Sequence, residues 1–432
     1  MSSNRFSLPL FLWLTFLAMA GCKKNYFEQG EYDQLVKSSF PVESIDADQD
    51  WTTIRRATLR LKPQLMPGET YQALVYDRNP FSDTTRVSLL WKGALTSNRE
   101  LIVNTEYLPG QGSVYVGVVD KLQYMCLYEV PVAGGQGSAT LSFDNAVTIR
   151  QVAELPKAAP FSYRYLFENC FPRTDDFDFN DVVLTVTPVI DSLTVTLRVS
   201  LDAVGALESM GAALRIVGLK ASDIVSCERR GNFDEGFPFA LDTRLRIIKS
   251  NDILLPDGMK YGTTDVVLNL FSNAHWAMKH EHASDGSILS RYFNTRARDS
   301  SDDDFENDVP PAVVTYTFRL ASESAVNRFR AEYLDAFIVE EYNGGFWEVH
   351  TVPYKTDEVL RDYASGNKSP YANNVPWALC VPGYVAYPCE RHAIATTVSI
   401  AVAAYQRFPE WAASRLKSQN WYDYPSREVV YR

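Results

Sequence analysis

Short apolar runs, each closed off by turn-forming residues, recur through the first third of this chain. Between Asp46 and Ile149 they are Thr53–Leu61, Tyr71–Tyr76, Val87–Trp91, Leu101–Thr105, Ser113–Val119, Met125–Val130 and Ala139–Phe143. Pro67-Gly68, Arg78-Asn79-Pro80 and Pro109–Gly112 punctuate them. Runs this short, rich in Val, Thr and aromatic residues, fill a half-buried pleat and are too short for amphipathic helices. About seven short strand-like runs at regular spacing with turn signals between them predict a small antiparallel sandwich.

Gln151–Pro160, with two prolines and three alanines, reads as a boundary. Beyond it come further strand-like runs: Val182–Ile190, Leu193–Val199, Leu214–Val217, Thr243–Ile248, Val266–Phe271, Val313–Leu320 and Ala336–Glu341. Asn273–Ser301 reads as a long loop. Ile394–Leu416 differs, because Ala-rich apolar residues recur there at helical spacing before a break at Pro409. The expected fold is all-β: two antiparallel β-sandwich-like domains in tandem, the second with insertions and a C-terminal helical segment. The expected boundaries are 46–150 for the first domain and 161–432 for the second.

The N-terminus carries different information. Met1–Gly21 has one positive side chain (Arg5), an apolar core from Leu8 to Ala20, and the ending Met19-Ala20-Gly21-Cys22. Small residues before a cysteine are what lipoprotein signal peptidase requires, and the Cys22 thiol then carries the diacylglycerol. The apolar stretch is far short of the roughly 20 residues that span a bilayer. Residues 1–21 are therefore expected to be a lipoprotein signal peptide, and 22–45 a lipid-anchored tether. This places the chain in the cell envelope, on the outer membrane. Lys23 and Lys24 favour its periplasmic face, with the surface side left open.

Removal of the leader takes away Arg5 and no acid, so the net charge of −11 becomes −12. That balance argues against nucleic acid as a partner, since phosphate backbones are bound by surplus Lys and Arg. Aromatic residues are abundant (Tyr 24, Phe 23, Trp 8). Sheet core accounts for them; a glycan-stacking platform built from Trp51, Trp91, Trp276 or Trp347 is the sharper alternative. Of the cysteines after Cys22 (Cys126, Cys170, Cys227, Cys380 and Cys389), Cys380 and Cys389 are the candidates for a disulfide. Pro382, Gly383 and Pro388 already favour a compact loop between them, and closing so short a loop is worth roughly 2.5–3 kcal/mol. No Cys-x-x-Cys zinc spacing occurs.

The strongest local signal is Phe167–Leu184. Asp176, Asp178 and Asn180 recur every second residue and would share one face of an extended chain. Val182, Leu184 and Val186 would occupy the same face, so a turn or a bulge must separate acids from apolar run. Carboxylates about 5 Å apart repel by a few kcal/mol at an effective dielectric near 20. Glu168, Asp176, Asp178 and Asp181 therefore either splay into water as a solvated Asx-turn loop or share a cation. Oxygen donors on an Asp-x-Asp-x-Asn run suit a structural Ca²⁺, giving Glu168, Asp176, Asp178, Asn180 and Asp181 as the candidate metal set. Asp302–Val309 echoes the tract, by kinship or by coincidence.

Phe167-Glu168 followed by Asp176–Val183 resembles the opening signature of the LruC-domain family of bacterial envelope lipoproteins. Glu348-Val349-His350 with Tyr354 and Thr356-Asp357, then Pro376–Pro382 with Tyr387-Pro388-Cys389-Glu390, then Ala404–Ala412 with Trp421-Tyr422, are similar to later motifs of that family in order. The resemblance covers about 161–422. It implies a β-rich module on a lipid-anchored protein, often behind a small N-terminal β domain, with no established reaction. Asn169-Cys170, Lys355 and the stretch Ile394–Ala403 depart from the family's pattern.

Other chemistry is weaker. His275, His280 and His282 match no standard metal spacing. Glu348 and His350 share one face of a strand, as a ligand pair, an acid–base pair or a buried polar pair. There is no Gly-x-Ser-x-Gly elbow, no His-Glu-x-x-His and no phosphate-cradling loop. The expected function is non-enzymatic binding or surface interaction, with a glycan or an envelope protein as partner. The alternatives are a glycan-binding accessory lipoprotein and a carboxylate-dependent carbohydrate-active enzyme.

Overall fold

The computed structural model describes residues 39–82, 86–97, 99–169, 176–208, 210–231, 265–278, 292–294, 305–306, 308–342, 345–354, 375–396 and 402–431. Cys22 and its leader, Cys170, Thr243–Ile248, His280 and His282 lie outside the described residues.

Among the described residues, the first β-module comprises β1 (Arg55–Pro63), β2 (Thr70–Tyr76), β3 (Ser88–Thr96), β4 (Leu101–Tyr107), β5 (Ser113–Val119), β6 (Tyr124–Ala133), β7 (Gln136–Leu141), β8 (Thr148–Gln151) and β9 (Ala159–Pro160). They form one sheet in the order β4-β1-β7-β6-β5-β2-β3-β9, with β8 on β6. β6 pairs with β5 over Met125–Pro131 and reaches β7 only through Val132–Ala133, so it joins two leaves. Pairing is antiparallel except for β1–β7 and β3–β9. β1 shows why these runs are strands. Ala57, Leu59 and Leu61 are fully buried while Arg56, Thr58 and Arg60 face outward, the period of two that a half-buried pleat requires. Gly134 and Gly135, both at positive φ, close β6 onto β7 in a two-residue turn that glycine adopts without strain.

The second module comprises β10 (Tyr163–Phe167), β11 (Val182–Asp191), β12 (Thr194–Val204), β13 (Met210–Ile216), β14 (Ile224–Gly231), β15 (Val266–Phe271), β16 (Tyr292–Asn294), β17 (Phe305–Glu306), β18 (Ala312–Leu320), β19 (Leu334–Tyr342), β20 (Gly345–His350) and β21 (Ala378–Pro382). One sheet runs β14-β18-β12-β11-β10-β21, with β16 on β12 and β17 on β16. The other runs β15-β13-β19-β20, and a two-stranded ribbon joins β22 (Tyr387–Pro388) to β23 (Val430–Tyr431). The all-β expectation of two sandwich-like modules, the second elaborated and ending in a helical segment, holds.

That segment is smaller than expected. The described helix is Phe408–Ala413, and Pro409 stands in its first turn, so the proline starts a helix where the sequence suggested a break. Its Phe408 and Trp411 pack with Trp421, Trp51 and Phe40 in one aromatic cluster. Trp51 is fully buried, so sheet and helix core accounts for it. The stretch before β1 belongs to the same cluster: Thr53 N–H donates to the Cys380 carbonyl and Asp46 N–H to that of Ala412. It thus extends the edge of the second module beside β21.

The Cys380–Cys389 disulfide is not formed; both are buried thiols. Cys380 lies inside β21, paired with Tyr165, whereas Cys389 follows β22 and donates its N–H to the Val429 carbonyl. The compact loop exists, but its two ends serve different sheets. Burial pushes the Cys380 thiol up to about 12.

Candidate metal centre

Glu168 follows β10 and Asn180-Asp181 lead into β11, so the acidic tract closes the end of two central, antiparallel strands. Phe177 and Phe179 decide its shape. Both rings are buried, at 1% and 0% exposure, and Phe177 packs edge-on against Phe40 and Trp377. To bring them inward the backbone adopts φ of 55° and 56° at these residues, a left-handed conformation that costs a bulky residue about 1–2 kcal/mol each. The tract is therefore not an extended strand with the acids on one face. The expected interruption before the apolar run is present, as these two turns and as a register shift between Val183 and Leu184.

The left-handed residues aim their amides at one point. Phe177 N–H donates to Glu168 Oε1 (2.9 Å) and Phe179 N–H to Glu168 Oε2 (3.0 Å). Such a backbone nest is an anion cradle. Asp178 is held likewise: Asn180 N–H donates to its Oδ1 (3.0 Å) and Arg391 N–H to its Oδ2 (2.8 Å). Asp181 Oδ2 accepts from Asn169 N–H at 2.6 Å. Glu168 is 0% exposed and Asp178 1%.

Glu168, Asp178 and the partly exposed Asp176 bring carboxylate oxygens within 4.8 Å of one another. This set can chelate a divalent cation such as Ca²⁺. Asp181 stands beside the trio, close enough to perturb Glu168, while its own carboxylate is turned to Asn169. Asn180 donates through Nδ2 to the Pro388 carbonyl at 3.2 Å. Its Oδ1 is buried and accepts no hydrogen bond among the described residues. A Cβ on Gly205 would lie 1.7 Å from that oxygen and 2.8 Å from Glu390 Oε2, so glycine is required for these acceptors to approach each other.

Burial pushes Glu168 well above the usual carboxylate range, reinforced by the charges of Asp181 and Asp176. Burial likewise raises Asp178, followed by repulsion from Asp176, Glu390, Asp181 and Glu168. Yet all four oxygens of Glu168 and Asp178 accept amide N–H groups, a pattern that belongs to the ionised form. No Lys, Arg or His side chain pairs with either of them among the described residues. A bound cation would resolve this conflict. The donor set is all oxygen, which fits a hard ion such as Ca²⁺.

Glu390 and Gly205 were not read from the sequence as parts of this site. Glu390 stood in a quoted motif, but nothing linked it to a tract over two hundred residues away. The second acidic tract reaches the same end of β12: β17 pairs with β16, β16 pairs with Ala203 and Val204, and Asp308 has φ 61°. Asp302–Asp304 and Asn307 of that tract lie outside the described residues.

The Glu348–His350 pair is a buried polar pair within a larger network. His350 Nδ1 meets Asp335 Oδ1 (2.9 Å), its Nε2 meets Glu348 Oε2 (3.0 Å), and Arg215 Nε donates to Asp335 Oδ2 (3.0 Å). Burial alone would lower His350, but the two carboxylates hold it up at about 10. His275 is buried and bonds through Nε2 to the Ala206 carbonyl. Trp51 is buried and Trp276 is 52% exposed, so these two do not form a stacking platform.

The family described as "Domain of unknown function (DUF4842)" matches residues 192–422, just over half of the chain. This chain belongs to that family. The match begins within the β11–β12 turn, so the acidic tract lies just upstream while Gly205 and Glu390 lie inside it. A solved structure from Bacteroides ovatus, described as a "Putative lipoprotein", is similar at 17% identity, covering 83% of this chain and 98% of its own, with a TM-score of 0.47. An "anti-sigma factor domain-containing protein" aligns at 10% identity over 69% of this chain and 83% of its own, with a TM-score of 0.14. No curated protein matches.

Proposed function

We propose that this protein is a lipid-anchored, non-enzymatic binding protein of the cell envelope whose second β-module is closed by one structural Ca²⁺. It is of the LruC kind, attached to the outer membrane through Cys22. The lipid anchor is supported by the apolar leader ending Met-Ala-Gly-Cys, and the LruC reading by the ordered motifs from Phe161 to Tyr422. One observation carries the calcium reading: two buried carboxylates are hydrogen-bonded as anions and, among the described residues, lack a cationic side chain. Glu168, Asp176 and Asp178 supply the charge, with Asn180 Oδ1 and Asp181 completing the oxygen set. The ion would hold Glu168 at the end of β10 against the loop that starts β11, so binding is coupled to folding.

Thermal melts in calcium and in EGTA test this. The folded state alone presents the assembled site, so calcium at a hundred times its dissociation constant should stabilise it by about 2.7 kcal/mol. Identical melts in the two buffers would refute the calcium site. Mass spectrometry of the mature N-terminus tests the anchor, which an unmodified terminus at a residue other than Cys22 would defeat. Protease shaving of intact cells distinguishes the two faces of the membrane, and protection is expected.

A further inference from the structure

A cleft of about 450 Å³ opens between the two β-modules. Its walls come from the stretch before β1, from β4, and from the segment between β18 and β19; Tyr165 and Cys380 lie on the second module's side. That volume lies within the range of small-molecule sites.

The lining runs against the charge of the chain. In a protein of net charge −11, four arginines line this cleft: Arg55, Arg56, Arg328 and Arg330. Three are matched by carboxylates that also line it. Arg55 pairs with Asp50 (2.9 Å), Arg56 with Glu332 (3.1 Å) and Arg330 with Glu106 (3.1 Å). Arg328 has no carboxylate within ion-pair distance among the described residues. Instead it lies 4.6 Å over the Tyr333 ring. Gly218, at φ +77°, also lies against it: an added Cβ there would come to 3.0 Å from the guanidinium. The missing side chain leaves the space that Arg328 fills, so the group is positioned before anything binds. Two further polar atoms of lining residues, Arg330 Nε and Thr105 Oγ1, are buried with no hydrogen-bond partner among the described residues.

We propose that this cleft binds a saccharide bearing one carboxylate, of the uronic acid class. The unmatched charge is a single positive one, which suits one carboxylate better than a phosphate dianion or a polysulfate. Arg328 presents the planar fork that a carboxylate meets with two hydrogen bonds. The volume far exceeds that of an inorganic anion, and Asn104, Ser324 and Asn327 supply neutral donors and acceptors for a hydroxylated body. The proposal specifies the ligand class for the binding role and does not depend on the calcium site.

Isothermal titration of the full mature chain with galacturonate and glucuronate oligosaccharides, galactose and inorganic phosphate tests it. Uronates should bind, while galactose and phosphate should bind at least tenfold more weakly. Arg328→Gln should weaken uronate binding at least tenfold, Arg328→Lys by less, and Asn327→Ala, at an exposed position, several-fold. Circular dichroism and the calcium-dependent melting shift report whether each variant is folded. Should Arg328→Gln not fold, the Asn327→Ala result decides. No heat with either uronate, equal binding of phosphate or galactose, or unchanged binding in the folded variants would overturn the proposal. An intact calcium-dependent shift alongside absent uronate binding would locate the failure in the cleft alone.

Discussion

Asp335 and Asp178 are both carboxylates buried in the second module, at 0% and 1% exposure, yet they are compensated differently. Asp335 receives Arg215 on one oxygen and His350 on the other, and His350 in turn meets Glu348. Two acids and two bases balance inside the sheet. Among the described residues Asp178 receives only backbone amides, and the charged neighbours that act on it, Asp176, Glu390, Asp181 and Glu168, are all acids. The strand network carries its own cations; the loop carries none among the described residues, and under the proposed reading takes one from solution. A buried charge is tolerated when paired or when it coordinates a metal; the Asp335 network uses the first solution, and the proposed calcium site would use the second.

Removal of Asp335 should produce the largest effect. Asp335→Ala leaves His350 and Arg215 buried with their best partner gone, which costs about 3–5 kcal/mol. Chemical denaturation should show this loss equally in calcium and in EGTA. A loss confined to calcium buffers would mean that the two regions are not electrically separate.

Asp178→Ala should behave in the opposite way. It should abolish the calcium-dependent stabilisation of about 2.7 kcal/mol. In EGTA it should be neutral or stabilising, because it removes a desolvated, repelled charge. Melts of both variants in both buffers form a two-by-two test. Equal destabilisation of Asp178→Ala in EGTA would place the loop in the same self-compensated class as Asp335.

The networks should also differ in pH dependence. His350 is raised from its unfolded value of 6.5 to about 10, so its contribution is complete below about 6.5 and is lost as pH rises through about 10. Between those values stability should fall by about 1.4 kcal/mol per pH unit from this group. The groups facing it are Asp335, Glu348 and the stacked Phe337 ring, with Arg215 beyond Asp335. Urea denaturation at pH 7 and 8 should show the decline in wild type and not in His350→Gln. A wild-type stability that is flat over that interval would contradict an imidazolium held by two carboxylates.

The two regions also differed in how far the sequence disclosed them. The Glu348–His350 spacing was legible because period two holds in β20, and a buried polar pair was among its readings. Asp335 and Arg215 come from other strands and left no local mark. In the loop, Asp176, Asp178 and Asn180 implied an extended face, yet Phe177 and Phe179 turned left-handed because burying two phenyl rings outweighs the strain. Alternation in sequence does not distinguish those outcomes. Glu390 was invisible as a partner, since its neighbour Arg391 meets Asp178 across 213 positions. Amphipathic strands such as β1 and β18 were plain, whereas β10, buried on both faces, offered no alternation to read.

The smallest expected effect comes from a third way of compensating charge, by water. Arg56 and Glu332 meet at 3.1 Å with side chains 51% and 35% exposed. In high dielectric their attraction is offset by the entropy of holding two long side chains, so the pair is worth roughly 0–1 kcal/mol. Glu332→Gln should therefore change stability by less than about 1 kcal/mol, and the change should shrink further in 1 M salt, where the Debye length is about 3 Å. It should be indifferent to calcium and flat from pH 7 to 8. Because Glu332 lines the arginine-bordered cleft, the same substitution releases Arg56 there and should strengthen uronate binding while barely moving the melting temperature. A loss as large as that of Asp335→Ala would show that exposure is not what separates the strong from the weak pairs in this protein. Burial, and the source of the compensating charge, would then no longer be the ordering variable.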